Sequence, residues 1–160
     1  MQLRPVLSRL GSPLRHRSGA FIALILVAPV LAGADLPGGE VTATVTGLRS
    51  SKGQVLACLT AQPAGFPDCK KDPHARALTV PASETVELDF GHLPKGRYAI
   101  SLFHDENANG RLDKRLMMPR EGYGFSRNAP VRLGPPSFAS AAFPLDAADE
   151  HQTIRMRYIF

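Results

Sequence analysis

The feature that most constrains this chain is a period of two in its apolar residues, repeated in segment after segment with little competing helical period. Successive side chains on a strand point to opposite faces, so the pattern describes ribbons with one dry face and one wet face. Val41, Ala43 and Val45 alternate with Thr42, Thr44 and Thr46, and Gly47 ends the run. Val86, Leu88 and Phe90 alternate with Thr85, Glu87 and Asp89, and Ile154, Met156 and Tyr158 with Thr153, Arg155 and Arg157. Val55 to Leu59 is more continuously apolar and follows the turn signal Ser51-Lys52-Gly53. Tyr98, Ile100 and Leu102 face one way and Ala99, Ser101 and Phe103 the other, which predicts a central strand covered on both sides. Gly91 to Gly96 reads as a connection, and Thr79-Val80 and Ala141 to Leu145 as weaker strands. Together these segments predict an all-β, two-sheet antiparallel β-sandwich of about seven strands.

The sandwich is expected to follow a signal peptide. Arg4, Arg9, Arg15 and Arg17 precede an apolar run from Ala20 to Leu31, and Ala32-Gly33-Ala34 then places small residues where a signal peptidase cuts. The run is about 12 residues long where a membrane span needs about 20. Cleavage after Ala34 would leave residues 35–160 as a single β-sandwich domain, periplasmic or secreted, with no transmembrane span. It also removes four basic residues and no acid, so the formal net charge of +5 falls by four. The basic character belongs to the leader and is no argument for nucleic-acid binding.

Cys58 and Cys69 are the two cysteines, and an oxidising compartment would let them pair. A redox or metal thiol pair would need C-x-x-C or a nearby His cluster, and the sequence has neither. His74, His92, His104 and His151 lie at no metal-binding spacing from one another.

One constellation carries chemistry. Asp105, Asn107 and Asn109, followed by Gly110, match the first half of an EF-hand-type calcium loop, with the Arg111 carbonyl at the seventh position and Asp113 at the ninth. The twelfth position is Leu116 where a bidentate Glu would sit, leaving Glu106 and Glu121 as outside donors. The low charge count predicts a weak Ca²⁺ site, with a dissociation constant of roughly 10⁻⁴–10⁻³ M. The same residues also read as a plain turn, because Asx side chains bond their own backbone and tolerate positive φ. Further on, Tyr123 and Phe125 stand among glycines and Phe138 follows Gly134-Pro135-Pro136. Aromatics so placed either form a ligand-binding platform or fold back to seal one end of the sandwich.

The run Gly96-Arg97-Tyr98-Ala99-Ile100 through Phe103-His104-Asp105-Glu106-Asn107-Ala108-Asn109-Gly110 resembles a known family. Leu112-Asp113, Pro119, Glu121-Gly122-Tyr123-Gly124-Phe125-Ser126, Gly134-Pro135-Pro136-Ser137-Phe138 and Ala142-Phe143 extend the likeness. It is to the bacterial exported proteins called domain of unknown function 2141, over most of residues 40–158. The resemblance implies a small extracytoplasmic sandwich, Ig-like or transthyretin-like and similar to carboxypeptidase-regulatory-like modules, without an established activity. Cys58 and Cys69 depart from the family pattern and read as a local staple.

Three functions fit these residues. The first is a non-catalytic module that binds a protein or glycan partner of the cell envelope through the Gly/Pro/Asn-rich stretch Asn107 to Ser140, with calcium ordering it. The second is a hydrolase using His104, Asp105 and Glu121, which would have to converge on a pocket. The third is an envelope-associated structural protein pairing through a free edge strand, with the Arg155/Arg157 strand the one to inspect.

Overall fold

A computed structural model describes residues 37–116 and 118–159. The signal-peptide reading falls on residues 1–34, outside the described residues. Among the described residues no helix is long and apolar enough to cross a membrane.

The protein is all-β. Strand β1 (Gly38–Thr46) lies between β10 (Glu150–Arg155) and β4 (Thr85–Pro94) in a three-stranded sheet. The second sheet runs β3 (Arg76–Pro81), β2 (Gln54–Thr60), β5 (Gly96–Asp105) and β8 (Gly122–Phe125), and β9 (Phe143–Leu145) pairs with the start of β5. A separate hairpin joins β6 (Lys114–Arg115) to β7 (Met118–Pro119), and one helical turn, α1, spans Phe138–Ala141.

Alternation turns into packing as expected. Val41, Ala43, Val45, Val86, Leu88 and Ile154 of the first sheet bury against Val55, Ala57, Leu59, Tyr98, Ile100 and Leu102 of the second in one core. Strand β5 is buried on both faces, because a second cluster of Ala99, Phe125, Ala129, Ala141 and Ala142 covers part of its outer side.

Two details differ from the sequence reading. The pair β1–β10 is parallel, Val41 opposite Glu150 through Thr46 opposite Arg155, while the other pairs are antiparallel. Periodicity reports which face of a strand is dry, not its direction; a parallel neighbour needs a long crossover, and here nearly the whole chain lies between the two strands. Gly91 to Gly96 is also not a connection. The strand β4 continues to Pro94 through a bulge, where the register shifts opposite Glu40 and Thr42 and Gly91 takes φ +73°. Glycine admits that conformation without steric cost, and beyond it Leu93 returns to the core.

Cys58 and Cys69 are bonded, with Cα atoms 6.4 Å apart. Cys58 lies on the outer face of β2, between the inward-facing Ala57 and Leu59, so the bridge ties the loop 61–75 onto that face. The same loop is held by Asp72, whose Oδ1 accepts from Gln62 Nε2 and His74 N and whose Oδ2 accepts from the Thr60 hydroxyl. The bridge closes a loop of about 12 residues, so its reduction is expected to lower the unfolding free energy by about 2–3 kcal/mol. Urea unfolding with and without dithiothreitol measures this, and coincident curves would contradict it.

Candidate functional site

Strand β5 ends at Asp105, whose buried carboxylate organises the loop that follows. Its Oδ1 accepts the Asn109 N–H at 3.0 Å, and its Oδ2 accepts the Gly110 N–H at 2.7 Å and Gln54 Nε2 at 3.0 Å. Asn107 Oδ1 accepts the Asn109 N–H and Asn109 Oδ1 the Arg111 N–H, two Asx turns in succession. The two side-chain amides then converge on Asp113, Asn107 Nδ2 at 2.9 Å from Oδ2 and Asn109 Nδ2 at 3.2 Å from Oδ1. Asp105, Asn107, Asn109 and Asp113 are therefore joined by hydrogen bonds, with the amide nitrogens of Asn107 and Asn109 turned to Asp113, their oxygens turned to backbone N–H groups, and Arg111 contributing its N–H.

The twelfth residue, Leu116, is 83% exposed. Glu121 is buried and accepts the N–H groups of Glu106 at 3.2 Å and Asp113 at 2.9 Å. Burial pushes the Glu121 carboxyl above its ordinary range, the charges of Asp113 and Asp105 push the same way, and the two N–H donors oppose them. Burial also penalises the Asp105 carboxylate, but the Gln54 amide and the Gly110, Asn109 and Ala108 N–H groups outweigh it and hold the group below the usual range. Among the described residues no group of three or more His, Cys, Asp or Glu side chains is arranged to hold a metal ion.

His104 faces the opposite way from Asp105. It is fully buried, with Nε2 at 2.7 Å from the Lys52 carbonyl and Nδ1 at 2.7 Å from the Tyr158 hydroxyl. A carbonyl only accepts, so Nε2 donates to Lys52, and Nδ1 shares a hydrogen bond with the Tyr158 hydroxyl. The Tyr158 oxygen accepts the Arg49 N–H, and the Arg49 guanidinium lies 4.5 Å over the Tyr158 ring while pairing with Glu106. This chain of bonds holds the loop after β1 to the end of β5. It occupies both imidazole nitrogens, while the Asp105 and Glu121 carboxylates bond to Gln54 and to backbone N–H groups and not to the ring.

Tyr123 and Phe125 project from the outer face of β8, and Phe138 from α1. Phe66 of the disulfide-tied loop joins them, with ring centroids 5.8 Å from Phe125 and 6.1 Å from Phe138, and Tyr123 lies 6.1 Å from Phe125. Phe125 is buried in this cluster, whereas Tyr123 and Phe138 are half-buried. The residues between the aromatics face inward and have to be small. A Cβ on Gly122 would come within 2.5 Å of the Tyr158 ring, and one on Gly124 within 2.8 Å of Ile154.

From Tyr123 at the margin of this cluster a transverse row runs across the sheet to Leu56 and Phe103, which belong to neither core. Leu56 of β2 is in register with Phe103 of β5, which is in register with Tyr123 of β8, all three half-buried on the outer face. On one side Ser101 bonds to Pro67 of the tied loop, and on the other Gln54 bonds to Asp105 at the root of the Asx loop. An apolar strip is thus left open between two loops that are each fixed by several bonds.

A profile described as an uncharacterized protein conserved in bacteria (DUF2141) matches residues 43–154, a span that includes both sheets, the Asx loop and the strip. This chain belongs to that family. Neither a curated protein nor a solved structure matches it.

In this DUF2141 protein two further residues matter that patterning did not single out. Ser126 follows β8 in a 3-10 turn, Ser126–Asn128, and its buried hydroxyl accepts the Ile100 N–H at 2.9 Å and donates to the Ala141 carbonyl at 2.7 Å. Asn128 takes φ +50° and turns its amide onto the outer edge of β10, donating to the Thr153 carbonyl and accepting the Arg155 N–H, both at 2.9 Å. The Tyr123–Arg157 bridge continues along the same side. The Arg155/Arg157 end of the sheet is therefore already engaged by side chain and strand, which removes it as a free pairing edge.

Proposed function

We propose that this protein is an exported, non-catalytic binding module whose ligand face is the strip Leu56–Phe103–Tyr123 with the flanking aromatic Phe138, supported by buried Phe125. One observation carries the reading. Three half-buried side chains lie in register across a sheet, Leu56 and Phe103 outside both core clusters and Tyr123 at the margin of the second, between a disulfide-tied loop and a hydrogen-bonded one. A rigid, flat apolar surface held that way loses little entropy on binding, and an aromatic at its centre suits an extended peptide or a glycan. Removal of the leader after Ala34 agrees with the Cys58–Cys69 bond, which persists in oxidising compartments.

The double variant L56S/F103T tests the reading. Both substitutions suit a half-exposed strand position. Capture of partners from envelope extracts should fall at least about tenfold, the loss expected when apolar contact area is removed, while the unfolding midpoint stays close to that of the parent. Undiminished capture by a folded variant would end the proposal.

Calcium is a second reading, favoured by the hydrogen-bonded convergence of Asn107 and Asn109 on Asp113 and of the Asn109 and Gly110 N–H groups on Asp105. A cation there would also offset the charges of Asp113 and Asp105, which add to the burial that raises Glu121. It predicts a higher melting midpoint in about 10 mM Ca²⁺. An unchanged midpoint assigns the loop's shape to its own hydrogen bonds.

A further inference from the structure

The hairpin β6–β7 breaks a local rule without a folded-state reason. It is hydrogen-bonded to neither main sheet, and a two-stranded ribbon alone is marginal in water. Its turn residue Leu116 adopts φ +48°, a conformation that favours Gly or Asn and strains a bulky side chain, yet the side chain is 83% exposed and contributes nothing to a core. Met118 is 41% exposed in the same hairpin. Arg111, Lys114, Arg115 and Arg120 flank these two in the chain, all exposed, with Arg115 in register with Met118, and none of the four makes a salt bridge among the described residues. The nearby carboxylates of Asp113 and Glu121 are turned onto N–H donors within the loop, so the charge presented outward is positive.

An exposed apolar tip with exposed basic residues before and after it in the chain is complementary to one surface in particular, a bilayer with anionic headgroups, where the tip enters the acyl boundary and the cations meet phosphate. We propose that this hairpin docks the protein on an anionic membrane through Leu116 and Met118, with Arg111, Lys114, Arg115 and Arg120 at headgroup level. This surface is separate from the strip, and its failure would leave the binding reading untouched.

The test uses the protein as processed by the cells that export it and sedimentation with vesicles of phosphatidylglycerol and phosphatidylethanolamine. The N-terminus is common to all variants, so differences between them report on the tip. The parent is expected to bind these vesicles, to bind pure phosphatidylcholine vesicles weakly, and to be released as salt rises from about 0.05 to 0.5 M. L116G should bind roughly 10–100-fold more weakly, with a melting midpoint equal to or above that of the parent, since glycine relieves the backbone while removing the wedge. K114E/R115E should also lose binding. The proposal is overturned if the parent ignores anionic vesicles, if it binds phosphatidylcholine equally well, or if K114E/R115E binds like the parent. It is overturned as well if L116G binds like the parent, which would mark charge-only attraction to any polyanion.

Discussion

Replacing Ser126 with alanine is expected to lower the unfolding free energy by about 2–5 kcal/mol, although the change removes a single oxygen atom. The last register pair of β5 and β8 joins Ser101 to Phe125, and the chain then leaves the ladder for the 3-10 turn. The Ile100 N–H just beyond would have no strand to meet, and the Ser126 hydroxyl takes that place while reaching the Ala141 carbonyl at the end of α1. Alanine would leave a buried donor and a buried acceptor without partners, each with its own desolvation cost. Urea unfolding of S126A measures the loss. A change below about 0.5 kcal/mol would mean that water or a shifted backbone replaces the hydroxyl.

The second large effect belongs to Asp105. Removal of its carboxylate in D105A is expected to cost about 2–4 kcal/mol, because Gln54 and the Asn109 and Gly110 N–H groups lose a charged acceptor together. Acidification should reach the same interaction in the parent. Asp105 titrates below its ordinary range, as do Glu106, held down by Arg49, and Asp72, held down by the Thr60 hydroxyl. Stabilisation from these three is present above the unfolded carboxylate pKa of about 4 and is lost as pH falls through the lower folded values. Glu121 acts in the opposite sense. Its folded pKa is raised, so its contribution is greatest when protonated and fades as pH rises through that value. With three groups against one, stability should decline on acidification below about pH 4, and less steeply in D105N than in the parent. Equal slopes for the two proteins would contradict the role given to this carboxylate.

The dry faces of β1, β2, β4, β5 and β10 were legible because a half-buried strand displays its burial in alternation. Convergence of the Asx loop was legible too, since residues two apart in a tight turn address their own backbone. Other features left weaker traces. Parallel pairing of β10 is a property of the crossover path, which no local pattern records. Gly91 carries the same punctuation in a bulge as in a turn. Ser126 and Asn128 act on backbone groups that are distant in sequence, so their chemistry becomes visible when the strands are in place. The Gly-Tyr-Gly-Phe run at 122–125 did hold a usable signal. Large residues at every second position with glycine between them describe a strand whose inner face is filled by other side chains, here Tyr158 and Ile154.

Site-specific photocrosslinking in cells that export the protein tests the binding account most directly. With a photoreactive side chain at position 56 or 123, on the open strip, we expect covalent capture of an envelope component. The same group at position 87 or 153, exposed on strands of the first sheet, should capture none. Adducts from positions 87 and 153 with none from 56 and 123 would place the ligand face on the wrong sheet and contradict the account.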